Sequence, residues 1–490
     1  LDAWLAAKSR AEEQLLERKA RWPTAGAAAL PVALKKLVAQ DPESEAGRAA
    51  LGRIEAGVLR KLCHGHALFP TSAPPATPDA ARELQRAWAA LWAATADDVW
   101  FWRVELPLIP ADGSEELVLA DRPVRSLLAA LGESAPPALY ARRFAPLDAK
   151  LQAPLTAALD WLEAHQLPDG HWSANIDLDE ERESYDPGAT GLALLALLGG
   201  GRGPSTPAVA RGIGWLLANQ SSATGEIPAA KETSDWLYMH LLATLALSEA
   251  QALRPSPFVK DRIALALEVV FAAQNPDSGW RYDLPPTGES DTSVTAWAVA
   301  VLFAARAAGI EADYEPAFEG ARKWIEKVTE PNKGRIGYSA LDELSSRTPV
   351  NEHFPREKGE AQTAAGLFAR RLLGMPSSDP MAKKQLALLE TRPPLWDPDG
   401  LAVDEYYFFY GAHAFALCSP KPSVAWTKGL AEIANAQSAD KDERGSWPPV
   451  GVWSYCGGRV YSTAMLALAL EAQTRLTLPE ENPKDKKKRK

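Results

Sequence analysis

Two aspartates hold matching places in this chain. Asp186 opens DPGAT and Asp291 opens DTSVT, each four residues ahead of a threonine and each at the head of an apolar run. Carboxyl groups supply proton-transfer chemistry where a fold buries and orients them. A second constellation is aromatic: Tyr406 to Tyr410 reads YYFFY, and tyrosine walls suit apolar or cationic ligands. Other reactive types are sparse. Cys63, Cys418 and Cys456 offer neither a disulfide framework nor a metal-type pair, although one bridge between Cys418 and Cys456 stays open.

The elements that must position these residues come next. With 490 residues the chain exceeds the size at which one core usually stops growing, so a main domain with an appended module is expected. A formal net charge of -10 argues against a broad nucleic-acid surface, since phosphate binding draws on clustered Lys and Arg. The basic run Lys484 to Lys490 is the exception, and it reads first as a solvated terminus. No apolar run approaches the ~20 residues needed to span a bilayer. The first residue is Leu1 rather than Met, which leaves a leader or anchor ahead of it open.

Residues 1–145 read as a mostly helical module. Helical patterns cover 44–64 and 79–96, and the aromatic, β-branched run from Val99 to Ile109 with Leu117 to Leu119 predicts a β-hairpin. Beyond it a unit recurs. ALDWLEAHQLPDGHW, RGIGWLLANQSSATGEI, ALEVVFAAQNPDSGW and GLAEIANAQSADKDERGSW each carry an amphipathic helix, a glutamine and a glycine turn, and three end in tryptophan. Gln166, Gln220 and Gln274 are 54 residues apart, and Thr329 falls 55 further on in a weaker copy. Between these lie helices apolar nearly all round, as expected of an inner layer. Six pairs at a fixed period, with no polar capping unit at either end, predict closure into an all-α (α/α)6 toroid over residues 151–476, followed by a basic tail at 477–490.

These repeats resemble the prenyltransferase/squalene-oxidase repeats of squalene-hopene cyclases, protein prenyltransferase β-subunits and complement-type thioester domains. The resemblance also rests on TGLALLALLG, DTSVTAWAVAVL and GGRVYSTAMLALALE, and it is nearest to bacterial repeat-only members. It implies a central cavity lined by the N-terminal ends of the inner helices. It also implies chemistries whose residues are mostly missing here. A cyclase-type DxDD acid cluster is reduced to the single Asp186 or Asp291, and Asp177-Leu178-Asp179-Glu180 lies in a separate acidic loop. Of the prenyltransferase zinc ligands, Asp291 matches, but Ser293 stands for the cysteine and Tyr407 for the histidine, with His413 six residues later. The thioester string is absent, CGGR at Cys456 sharing two residues of it, and CHGH at Cys63 to His66 precedes the ring.

The residues expected around the cavity are Tyr185, Trp236, Tyr238, Ser293, Glu360, Gln362, Tyr406, Tyr407, Tyr410, Arg459 and Tyr461, with Asp291 and Asp186 as candidate acids. No metal and no cofactor is expected. The expected function is a ligand-binding or protein-interaction (scaffold or assembly) component without prenyltransferase activity. Its partners would be an apolar or isoprenoid small molecule, or a protein docked through the N-terminal module or basic tail, with no nucleic acid and no membrane span. The alternative is a terpene-cyclase-like enzyme on an isoprenoid or peptide substrate, with a cavity carboxylate as the acid.

Overall fold

A computed structural model describes residues 35–62, 74–95, 147–175, 185–228, 235–276, 278–419, 423–476 and 478. The predicted β-hairpin, the acidic loop around Asp179, the CHGH string and the basic tail lie outside these residues. Among the described residues every named element is a helix, and pairing outside helices is limited to isolated bridges.

Two helices precede the ring, α1 (Glu45–Leu62) and α2 (Pro78–Thr95), and they pack on each other. The outer helices of the ring are α3 (Ala149–Ala164), α5 (Pro207–Ala218), α7 (Pro257–Ala272), α9 (Glu315–Lys327), α11 (Pro380–Glu390) and α13 (Val424–Asn435). Alternating with them are the inner helices α4 (Asp186–Gly199), α6 (Trp236–Leu253), α8 (Thr292–Ala307), α10 (Ala361–Leu372), α12 (Glu405–Cys418) and α14 (Ser454–Leu470). A short α15 (Ala472–Arg475) follows.

Sequence explains this division. Outer helices are amphipathic: α5 buries Val209, Ile213, Leu216 and Leu217 and leaves its other face accessible. Several begin on proline, as at Pro207 and Pro380, where the missing N–H is no loss. By contrast, α4 buries every residue from Pro187 to Leu198, because it has neighbours on both sides. At Gly191 a Cβ would stand 2.8 Å from the backbone of Leu242, so glycine sets how closely α4 and α6 approach.

The ring closes. Each inner helix packs on the next, and α14 returns to α4, while α13 packs on α3 in the outer layer. The repeat glutamines are the fasteners. Gln166 Nε2 donates to Gly170 O and Ala208 O (both 2.8 Å), and Gln274 Nε2 donates to Ser278 O and Ala317 O (both 2.9 Å). Gln220 does the same to Gly225 O and Arg262 O. Each amide therefore ties its own turn to the N-terminal half of the next outer helix, where the carbonyl takes a second hydrogen bond on its remaining lone pair. Gln437 makes the last such tie, to Gly445 O (2.7 Å) and back to Pro154 O (2.8 Å), joining the sixth unit to the first. In the weaker copy Thr329 cannot reach, and Gln385 of α11 supplies the amide instead, to Gly334 O at 3.1 Å.

The tryptophans complete each unit from inside. The indoles of Trp172, Trp280 and Trp447 are fully buried and donate to Leu162 O, Val270 O and Ile433 O at 2.6 to 2.7 Å. Cys418 and Cys456 are both free: one ends α12 and the other starts α14, at opposite ends of the inner ring. The bridge left open by the sequence is therefore not made.

Candidate functional site

The inner helices all start at the same end of the ring, and their starts are set by one repeated hydrogen bond. The backbone N–H of Trp172, Trp280 and Trp447 donates to the hydroxyls of Thr190, Thr295 and Thr463 at 3.0, 3.0 and 3.3 Å. In the second unit Ile227 N donates to His240 Nδ1 (3.1 Å), and in the fourth Ile336 N donates to Thr363 Oγ1 (3.2 Å). These anchors fix the helical register.

Register then decides which side chains meet the centre. In four of these five units the residue two before the anchor, Gly188, Tyr238, Ser293 or Tyr461, lines one central cavity of about 210 Å³, whereas Ala361 of the fourth unit does not. Four residues before it stand Asp186, Trp236, Asp291 and Arg459, and none of them does. A step of two residues turns an α-helix by roughly 200°, so the two sets face opposite ways. The sequence reading mixed both sets, which corrects its list in a definite manner.

Asp186, Asp291 and Arg459 each bind a loop. Asp186 Oδ1 accepts from Ala174 N (2.8 Å), and its Oδ2 lies 3.4 Å from His171 Nε2, whose Nδ1 is 2.7 Å from Asp169. Burial alone would lower the His171 pKa, but the two carboxylates raise it to about 9. Asp186 is thus half of an ion-pair clamp. Arg459 donates to Glu443 Oε1 (2.8 Å) and Ser446 Oγ (3.2 Å). Trp236 is buried beside His240 with ring centroids 6.1 Å apart.

Three more expected residues also lie off the cavity. Glu360 is buried between Arg335 (2.8 Å) and Arg392, which spends its charge on structure. Tyr407 donates to Arg392 O (2.6 Å) and sets its ring edge-on to Trp426 in the layer behind. Tyr410 sits beneath the cavity wall, edge-on to Tyr406 at 4.8 Å and tilted against Trp297 at 5.1 Å. The structure brings together the remaining expected residues, Tyr185, Tyr238, Ser293, Gln362, Tyr406 and Tyr461.

Residues absent from the sequence reading complete the wall. Tyr282 and Tyr338 each come two residues after a unit's buried turn residue, Trp280 and Ile336, and that repeated offset was a usable signal. Trp453 is the N-cap residue of α14 and Tyr455 lies in its first turn, ahead of the kink at Gly458 (φ 55°). Ser346 and Thr348 arrive on a long loop of the fourth unit that crosses to the sixth: Thr348 Oγ1 lies 3.1 Å from Tyr455 OH, and Asn351 Nδ2 donates to Val452 O at 3.0 Å. Apolar side chains, among them Leu192, Met239, Leu242, Trp297 and Met465, form the deeper part.

The hydroxyls pair with one another. Tyr238 donates to Ser293 Oγ (2.7 Å), which donates to Tyr406 OH (2.8 Å), so the residue in the zinc-thiolate place is held by two phenols. Tyr282 and Tyr338 are 2.7 Å apart, and Tyr338 donates to Asp291 Oδ2 at 3.3 Å. Asp291 Oδ1 caps α8 through Val294 N (2.8 Å). Burial raises the Asp291 pKa to about 7, and neutral-range titration is what a general acid requires. It reaches the cavity only through Tyr338 and Tyr282. A second buried carboxyl, Glu405, accepts from Ser454 and Ser462 (both 2.9 Å), and burial raises it to about 7 as well.

Gln362 is not committed in this way. It is 6% exposed, and its Oε1 has no hydrogen-bond partner among the described residues. An unsatisfied buried acceptor costs on the order of 1–3 kcal/mol. Elsewhere, no cluster of three or more His, Cys, Asp or Glu among the described residues is placed to hold a metal ion. No described helix is long and apolar enough to cross a membrane.

No protein-family model and no curated protein matches the chain. Solved structures similar to it include the type II terpene cyclase MstE from Scytonema, at 14% identity and a TM-score of 0.46, covering 66% of this chain and 97% of that one. A D-mannose isomerase is similar at 13% identity and a TM-score of 0.46, covering 67% and 99%. An unsaturated glucuronyl hydrolase specific for heparin is similar at 15% identity and a TM-score of 0.44, covering 66% and 97%. By its own helix order and closure, this chain is an α/α toroid, the architecture expected from its repeats.

Proposed function

We propose that the toroid is a ligand-binding protein for a small apolar molecule of isoprenoid class, held at the N-terminal mouth of the inner ring. The observation that supports this is the makeup of the cavity: tyrosine, tryptophan and aliphatic side chains, with no Lys, Arg or His among its described lining residues. Aromatic and aliphatic walls favour apolar bodies, and a few paired hydroxyls fix orientation. Trp297 and Trp453 in the wall give the test its readout. Titration with geraniol is expected to change tryptophan fluorescence saturably, and Leu192→Trp, which fills the cavity, is expected to abolish the change. Undiminished binding in the filled variant would remove this reading.

A second reading is favoured by Asp291. Its raised pKa and its contact through Tyr338 to Tyr282 suit an acid that acts through a phenol relay. Once Asp291 is protonated and the Tyr338 hydrogen bond is turned round, it gives its proton to Tyr338 while Tyr338 passes its own to Tyr282 and Tyr282 its own to a bound polyene. Asn at this position keeps the helix cap and lacks the acid. Loss of product formation in Asp291→Asn, with ligand affinity retained, is the expected result for an enzyme. No product from any polyene bound by the unaltered protein would leave binding alone.

A further inference from the structure

We infer that the cavity selects a ligand with a hydroxyl head, recognised by Gln362, over a hydrocarbon of the same carbon skeleton. This rests on the ligand-binding reading above and adds the chemistry of the head group. Most polar groups in the wall are already committed: Tyr238, Ser293 and Tyr406 form one hydroxyl chain, Tyr282 pairs with Tyr338, and Thr348 pairs with Tyr455. They have little left to offer a ligand. The Gln362 amide differs, being 6% exposed, part of the cavity wall, and with Oε1 unpartnered among the described residues. An amide presents an acceptor or, after a half-turn, a donor, and a hydroxyl can answer either.

A pure hydrocarbon would leave the Gln362 amide unsatisfied, and an alcohol of the same skeleton would satisfy it.

The test compares geraniol and myrcene, which carry a same-sized apolar body with and without a hydroxyl head. With the full chain, geraniol is expected to bind at least tenfold more tightly than myrcene. Gln362→Met, which removes the amide at similar volume, is expected to bring geraniol down to the level of myrcene while myrcene affinity holds or improves. Its melting temperature is expected to stay or rise, so loss of fold cannot imitate the result. Equal binding of geraniol and myrcene to the unaltered protein, or a preference that survives Gln362→Met, would each overturn the inference while leaving ligand binding intact. If neither binds, the ligand-binding reading falls as well.

Discussion

The two ends of the inner ring are made from the same six helices and end in opposite ways. At the N-terminal mouth, side chains stand back from the axis and leave a cavity of about 210 Å³. At the other end the axis is filled. Arg475 of α15 reaches inward to Glu249 and Glu471 and donates to Leu195 O (2.7 Å), and Phe368, Phe409 and His413 pack above it. Only about 20 Å³ remains there. Burial holds His413 neutral, with its pKa lowered to about 3, and Nδ1 is bound to Phe409 O (2.9 Å). What separates the ends is the partner each polar group finds. The closed end pairs its charges, whereas the mouth keeps uncharged hydroxyls around space.

The largest effects should come from breaking the closed end. Arg475→Met leaves Glu249 and Glu471 buried without their cation, and a loss of about 3–5 kcal/mol is expected by chemical denaturation. A comparable stability in this variant would mean the plug is dispensable. The fasteners between the ends come next: Gln274→Leu strands Ser278 O and removes the second hydrogen bond to Ala317 O, for an expected cost of about 1–3 kcal/mol. Cost near zero would assign closure to apolar packing alone. At the mouth, Tyr238→Phe removes one hydroxyl from a chain that keeps its other link, and about 0.5–1.5 kcal/mol is expected from the same measurement.

Titration sharpens the contrast further. Glu405 has its folded pKa raised from 4.5 to about 7, so the folded state holds its proton more firmly than the unfolded chain. Its contribution is complete below pH 4.5 and is lost as pH rises through about 7. Glu405→Gln should flatten the stability profile across that window. The His171 clamp, raised from 6.5 to about 9, contributes fully below pH 6.5 and fades as pH rises through about 9. His171→Gln should therefore lose stability at pH 6 and little at pH 10, as read from melting temperatures at the two values.

The ring was legible because its determinants repeat. Gln166, Gln220, Gln274 and Gln437 each do one structural task at one offset, and Trp172, Trp280 and Trp447 another, so spacing alone reveals them. The cavity was legible only in part. Asp291 and Ser293 are two residues apart in a motif that draws attention to both, yet rotation about the helix places Ser293 inside and Asp291 behind it. Chemistry suggested the acid; register chose the hydroxyl. Thr348 and Tyr455 were out of reach for another reason, since a crossing between the fourth and sixth units leaves no local pattern.

The Gln437 tie to Pro154 has a further consequence for how the chain is made. It joins residues 283 positions apart, and α13 meets α3 on the same side. During synthesis the first unit must therefore wait, with its outer helix unpartnered on one flank, until nearly the whole ring has left the ribosome. Contacts of such separation are slow to form, and apolar surface kept waiting is prone to aggregate. A chain cut before Gln437 is expected to collect as an open, sticky arc, and its capture by chaperones in a translation extract, against release of the chain extended to Arg475, would measure that wait.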